Sequence, residues 1–240
     1  MRQAVYTIEH NEPIARDVRF MRLSGPTDAI RQPGQFVNLK LDGLFLRRPF
    51  SIADWDASGF NIIFKIVGEG TRMLANLPVG RELDALTGLG NGFDNTLSRR
   101  PLLIGGGVGV PPLYALAKRF VERKIMPTLL LGFATAEDVL LADALSGLGC
   151  NVIVTLESEG QRVTDRLDEA AADCDQYYAC GPEGMLRAIH KRCVLPGQLS
   201  LETRMACGVG LCRGCTCATQ LGGKRVCVEG PVFDKEALPW

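Results

Sequence analysis

Five of the chain's nine cysteines fall in one stretch, "CGVGLCRGCTCATQLGGKRVC", from Cys207 to Cys227. No other feature constrains the fold as tightly, because thiols this dense must be oxidised, bound to metal, or buried. An odd total rules out complete pairing within the chain. The opening "MRQAVYTIEHNEPIARDVRF" has no basic segment followed by an apolar one, so no signal peptide is readable. Apolar runs such as "PTLLLGFA" fall far short of the roughly 18 residues a membrane helix needs. The expectation is a cytoplasmic protein with reduced thiols, in which clustered cysteines serve a metal or catalysis rather than disulfides.

Spacing discriminates between metals. Cys207, Cys212, Cys215 and Cys227 read C-x4-C-x2-C, then eleven residues, then C. A structural zinc site usually pairs its cysteines in two close knuckles. A triplet with one distant partner is the plant-type 2Fe–2S pattern. Gly208, Gly210 and Gly214 let the backbone wrap tightly and turn N–H groups toward sulfur. A hairpin is expected here, "TCATQL" and "KRVCVEG" joined by a Gly222–Gly223 turn, with Cys227 on its second arm. Cys217 reads as a packing residue sharing a face with Cys215, and Cys150, Cys174 and Cys193 as buried small apolar residues. The rival from another functional class is a zinc-stabilised binding module without flavin.

Lys plus Arg and Asp plus Glu are 27 each, so the net charge is zero and neither nucleic acid nor an anionic membrane surface is an expected partner. Only His10 and His190 are available for histidine-based metal or hydrolase chemistry. His190 falls in an expected surface helix.

Three units are expected along the chain. Residues 1–97 carry short β-rich runs ("QAVYTIEH", "DVRFMRLS", "GQFVNLKL", "FSIADW", "GFNIIFKIV", "ELDALTG") with one short helix, "TRMLANL", and predict a closed antiparallel barrel. Residues 98–200 alternate apolar strands with helical segments, including "AEDVLLADALSGLG" and "VTDRLDEAAAD", and predict a parallel-sheet α/β domain. Residues 201–240 form a small iron–sulfur subdomain, too short to hold together without a staple.

Four motifs lie within this frame. "RRPFSIAD" (Arg47–Asp54) is either an edge strand begun by proline or a flavin site, with a cation for pyrophosphate and a hydroxyl for the ring. "KIVGEGTRML" (Lys65–Leu74) is either a turn capped by Thr71 or a phosphate cradle at a helix start. "LLIGGGVGVPPLYAL" (Leu102–Leu116) is strand, glycine turn and proline-started helix, with Val110 where the dinucleotide fingerprint has its third glycine. "YACGPEGM" (Tyr178–Met185) ends a strand at the same sheet edge, where Cys180 and Gly181 could line a nicotinamide.

In this order the motifs resemble the ferredoxin–NADP reductase-like superfamily. With "CGVGLCRGC" through "RVCVEGPVF" the chain is similar, nearly end to end, to the electron-transfer subunit of B-type dihydroorotate dehydrogenases. The resemblance implies FAD on the barrel, NAD on the α/β domain and a 2Fe–2S cluster in the tail. It also implies an FMN-containing catalytic partner that oxidises dihydroorotate, in a heterotetramer. Family flavin contacts fall on Arg48, Pro49, Phe50, Ser51, Ile63, Phe64, Lys65, Gly70 and Thr71, and cluster ligands on Cys207, Cys212, Cys215 and Cys227. Phe50 stands where an aliphatic residue is common. Nucleotide contacts are expected at Gly105, Gly106, Gly107, Gly109, Cys180 and Gly181. Similar subunits serve cytosolic hydrogenases and ferredoxin-dependent transhydrogenases, which is the alternative partner. The redox logic agrees: NAD exchanges a hydride and the cluster one electron, so a flavin belongs between them. Glu157 and Glu159, after the third parallel strand, are expected to repel the 2′-phosphate of NADP, with Arg162 the nearby cation.

Overall fold

The computed structural model describes residues 1–240. Its first unit is a closed barrel of β1 (Arg2–Ala15), β2 (Val18–Ser24), β3 (Phe36–Leu39), β4 (Arg48–Trp55), β5 (Gly59–Lys65) and β6 (Glu82–Leu89), in the order β1-β2-β5-β4-β3-β6. Period-two alternation decides its interior: Tyr6 and Ile8 of β1, Met21 and Leu23 of β2, and Val37 and Leu39 of β3 all enter one core. A short helix, α1 (Glu69–Ala75), follows β5. Closure leaves no edge, so β4 is an interior strand despite Pro49, paired on both sides.

The second unit is a six-stranded sheet, ordered β14-β11-β10-β7-β8-β9. Strands β7 (Pro101–Gly106), β8 (Thr128–Phe133), β9 (Asn151–Leu156), β10 (Gln176–Cys180) and β11 (Gly197–Ser200) run parallel. Helix α2 (Pro111–Glu122) begins with Pro111 in its first turn, where a missing N–H costs nothing. The two middle crossovers are less helical than expected. "AEDVLLADALSGLG" yields a 3-10 turn and the short α3 (Ala142–Gly147), interrupted by Leu141 in the left-handed region at φ 60°. "VTDRLDEAAAD" divides into a 3-10 turn and α4 (Leu167–Ala171). Helix α5 (Glu183–Arg192) precedes β11.

The tail begins irregularly and forms a hairpin of β12 (Thr216–Thr219) and β13 (Gly222–Arg225). The turn is Gln220–Leu221, because Thr219 pairs with Gly222; Cys227 lies beyond β13 rather than on it. Strand β14 (Val232–Asp234) then adds antiparallel to β11 and completes the sheet. The tail is thus woven into the α/β unit. No helix is long and apolar enough to cross a membrane.

The units share cores. Ile63 and Ala53 of the barrel pack with Val110, Leu113 and Tyr178, and Lys118 of α2 meets Asp54 of β4 at 2.6 Å. Phe36 and Leu89 of the barrel pack with Leu199, Cys215, Val226 and Cys227.

Candidate functional site

The two flavin motifs converge. A Cβ at Gly70 would lie 2.8 Å from Nε of Arg48, so the guanidinium stem rests on the first turn of α1 and leaves no room for a side chain there. Arg48 donates to the Leu46 carbonyl at 2.6 Å and is half-exposed. Thr71 is not the cap. Gly68 caps the helix, and Thr71 in the first turn reaches back, its hydroxyl accepting from the N–H groups of Val67 (2.9 Å) and Gly68 (3.0 Å). The half-buried Phe50 ring leans on Phe64 at 5.4 Å, while Ser51 and Lys65 are exposed. Phe64 fills the barrel core and Ile63 the interdomain core, so their side chains are committed to packing. Any flavin contact at those two positions falls to their backbone.

The nucleotide motifs converge as well. Strand β5 approaches the glycine turn Gly107–Gly109 after β7, which brings the barrel up to the nucleotide motif. A Cβ at Gly109 would lie 2.6 Å from Gly181 Cα and overlap the Cys180 carbonyl; a Cβ at Gly106 would meet Met185 Sδ at 2.7 Å. The ends of β7 and β10 therefore form one close-packed edge, outside the carboxyl ends of the parallel strands, where nucleotides bind in this architecture. Burial pushes the Cys180 thiol up to about 12, against a hydrogen bond with Ser200, which keeps it neutral. Glu157 and Glu159 form an exposed 3-10 turn after β9, with Arg162 also exposed.

The four tail cysteines form two pairs. Cys215 and Cys227 are both buried, with sulfurs 3.2 Å apart. Cys207 and Cys212 make up the other: the Cys212 N–H points to Cys207 Sγ at 3.4 Å, and the Gly214 N–H to Cys212 Sγ at 3.4 Å. No three His, Cys, Asp or Glu side chains gather around a single-ion position. Two pairs suit a two-iron cluster, in which each iron takes two thiolates, better than one tetrahedral zinc. Burial opposes ionisation of Cys207, but backbone N–H groups of Cys212, Val209 and Leu211 together bring its thiol down to about 6. Burial and the neighbouring Cys215 push Cys227 up to about 12. Donors aimed at sulfur and a soft ligand set fit an iron–sulfur group.

Sequence reasoning missed two supports of this loop. Arg225 donates to the Gly210 carbonyl at 2.9 Å and pairs with Glu229 at 2.5 Å, clamping the first half of the loop to the turn bearing Cys227. Asn38 of β3 donates to the Cys207 carbonyl at 3.3 Å. Arg225 lies two residues from Cys227, an expected ligand, and was open to suspicion; Asn38, 169 residues from Cys207, carried no local signal. His190 is half-buried on α5, with Nε2 3.1 Å from the Lys235 carbonyl and its ring edge on Trp240, so it holds the tail in place.

Comparison with known proteins agrees with this geometry. Residues 202–239 match the iron–sulfur cluster binding domain of dihydroorotate dehydrogenase B, and residues 103–191 an oxidoreductase NAD-binding domain. The chain is 41% identical over 245 residues to the dihydroorotate dehydrogenase B (NAD(+)), electron transfer subunit of Fusobacterium nucleatum, covering 95% of each. The chain belongs to that family. A relative of the same name from a Geobacillus species is 39% identical over 251 residues, covering 97% of each. Among solved structures, an NADH-dependent reduced ferredoxin–NADP oxidoreductase covers 99% of this chain and 90% of its own, with a TM-score of 0.87 and 29% identity. As a family member the chain is an NAD-linked flavin and iron–sulfur oxidoreductase subunit that relays electrons, with FAD, a 2Fe–2S cluster and NAD(H) as its cofactors.

Proposed function

We propose that this chain carries electrons from an FMN-containing dihydroorotate dehydrogenase catalytic subunit to NAD+ in the cytoplasm, as one subunit of a heterotetramer, with its cofactors at named positions. Cys207 and Cys212 hold one iron of the cluster, and Cys215 and Cys227 the other. Arg48 and the first turn of α1 at Gly70 and Thr71 hold the flavin pyrophosphate. Pro49, Phe50 and Ser51 face the ring, and Ile63, Phe64 and Lys65 offer backbone. Gly105, Gly106, Gly107 and Gly109, with Cys180 and Gly181, receive the nicotinamide nucleotide. Residues 1–97, 98–200 and 201–240 are the corresponding units. Bound FAD supplies the exchange between a hydride and single electrons.

The observation that carries this reading is the position of β3. Its Phe36 pairs with Ser51 and its Asn38 with Pro49, while its outer face packs on Cys215 and Cys227 and holds Cys207. One four-residue strand lies between the flavin motif and the loop that carries Cys207, and shares a core with Cys215 and Cys227. The chain's own residues therefore do three things: bind each cofactor, hold them at fixed spacing, and keep water from the strand between them.

The test is a spectrum and a variant. The purified chain should show flavin and iron–sulfur absorbance, and with the catalytic subunit it should reduce NAD+ on addition of dihydroorotate; a colourless protein with stoichiometric zinc overturns the reading. Arg48→Ala removes a charge-assisted contact of about 1.5–3 kcal/mol. Flavin retention, followed by equilibrium dialysis, should weaken by roughly 10- to 100-fold. Unchanged retention would move the pyrophosphate away from Arg48.

A further inference from the structure

Asn38 is fully buried at 0% exposure, yet only half of its amide is used. The Nδ2 group donates to the Cys207 carbonyl at 3.3 Å, while Oδ1 has no partner. A buried polar atom left unpaired costs about 1–3 kcal/mol and requires a compensating role. The backbone around the amide is arranged for it. Gly208 takes φ +69°, and a Cβ there would press on Nδ2 and lie 3.3 Å from Cγ, so the loop comes down directly on the side chain. On the other side Asn38 pairs with Pro49, inside the flavin motif. It stands between the cluster loop and the flavin strand, and is not itself among the expected ligands of either cofactor.

We propose that Asn38 is a positioning residue of the relay. It locks the Cys207 end of the cluster loop onto β3 and points the positive end of a desolvated amide at the cluster side of the junction. The inference rests on the assignment of Cys207 as a cluster ligand. Hydrogen-bond donors and burial around the sulfurs set cluster potential, and fixed dipoles act strongly where water is excluded. The donor end of the Asn38 amide therefore favours the reduced, more negative cluster. In its absence the cluster accepts an electron less readily, and the loop loses its only side-chain hydrogen bond to the barrel among those formed by Cys207.

The test uses the full chain assembled with its catalytic subunit. Asn38→Leu keeps the branching at Cγ and removes the donor; Asn38→His returns a ring N–H at the same branch of the side chain. In Asn38→Leu the cluster's midpoint potential should fall so that the flavin–cluster equilibrium shifts by about tenfold, about 59 mV for a one-electron couple. The electron paramagnetic resonance spectrum of the reduced cluster should change. NADH-driven flavin reduction should hold, because Asn38 meets the flavin strand through backbone pairing with Pro49, which the substitution leaves in place. Asn38→His should recover most of the potential. If Asn38→Leu loads no iron while Asn38→His does, the positioning role also stands. An unchanged potential and spectrum in Asn38→Leu, with only a lower Tm, overturns it; so does loss of flavin and iron together in both variants. Absence of any iron–sulfur signal from the unsubstituted protein is a different failure, that of the cluster assignment itself.

Discussion

Gly105–Gly109 and Gly208–Gly214 are both glycine-rich turns, and they are held in opposite ways. The first turn is wedged. Gly105, Gly106 and Gly109 are buried, and the space a Cβ needs is occupied by Val110, Met185 and the Cys180–Gly181 backbone. The second follows residues 201–206, which have no regular structure, and Leu211 to Gly214 are exposed; Gly208, Gly210 and Arg213 sit at positive φ. The nucleotide edge has its shape before any ligand arrives, because neighbouring backbone defines it. The cysteine loop is tied to the rest of the chain by the Asn38 and Arg225 bonds, with short contacts of Cys207, Cys212 and Gly214 inside it, and a bound cluster would add to its order. Metal binding and local folding are coupled in such a loop.

The sharpest way to break the comparison is to remove the metal's hold. Cys212→Ser deletes the proposed ligand on the exposed rim and leaves Cys215 and Cys227 in their shared core with Phe36. Cluster absorbance and iron should be lost, and dihydroorotate-dependent NAD+ reduction with them. NADH should still reduce the flavin. Amide exchange should rise across residues 207–214 and stay unchanged across 105–109. If NAD+ reduction by dihydroorotate survives in the clusterless protein, the cysteine loop is a staple and not a conductor.

The converse experiment attacks the wedged turn. Gly109→Ala inserts a methyl into the Cys180 carbonyl, and overpacking of this kind costs about 1–3 kcal/mol. NADH affinity should fall by roughly tenfold or more while iron content holds, measured by titration against cluster absorbance. Wild-type affinity in Gly109→Ala would mean that the edge yields as easily as the loop.

These contrasts show what was legible in the sequence. Each of the six barrel strands and the strand–turn–helix units at β7 and β10 followed from period and punctuation, since local pattern and burial agree there. The cysteine spacing pointed to the iron–sulfur cofactor of the family. The crossovers after β8 and β9 were overread as continuous helices: "AEDVLLADALSGLG" has the composition of one, but the backbone breaks at Leu141. The hairpin turn was misplaced by two residues because Gly222 serves the strand rather than the turn itself. Asn38 was invisible for a different reason. Its role arises from tertiary contact across the chain, and an asparagine within "GQFVNLKL" looks like an ordinary polar position on a strand.

A smaller effect sharpens the nucleotide half. The buried glycine edge carries no charge of its own, so discrimination between cofactors falls to the exposed turn after β9. Glu157 and Glu159 oppose a 2′-phosphate there and Arg162 offsets them in part. NADH should be preferred over NADPH by roughly tenfold in kcat/KM, about 1.4 kcal/mol. Glu157→Gln with Glu159→Gln should narrow the ratio. Equal kcat/KM for both cofactors in the unaltered protein would place the ribose elsewhere.

The smallest effect belongs to Cys217, the fifth cysteine of the stretch. It is half-buried, and its side chain packs against the core that contains Cys215, Val226 and Cys227. Burial pushes its thiol up, so it remains a neutral, weakly polar group. It also lines a cleft of about 350 Å³ between α5, the segment after β11 and the C-terminal Trp240. Cys217→Ser exchanges a small apolar group for a hydroxyl in this setting. The cost is about 1 kcal/mol, or a Tm lower by roughly 2–4 °C in a chain of this size. Iron content, cluster absorbance and dihydroorotate-dependent NAD+ reduction should all match the unsubstituted protein. An empty site in Cys217→Ser would make it a ligand in place of Cys215 or Cys227, and the pairing of Cys215 with Cys227 and of Cys207 with Cys212 would have to be redrawn.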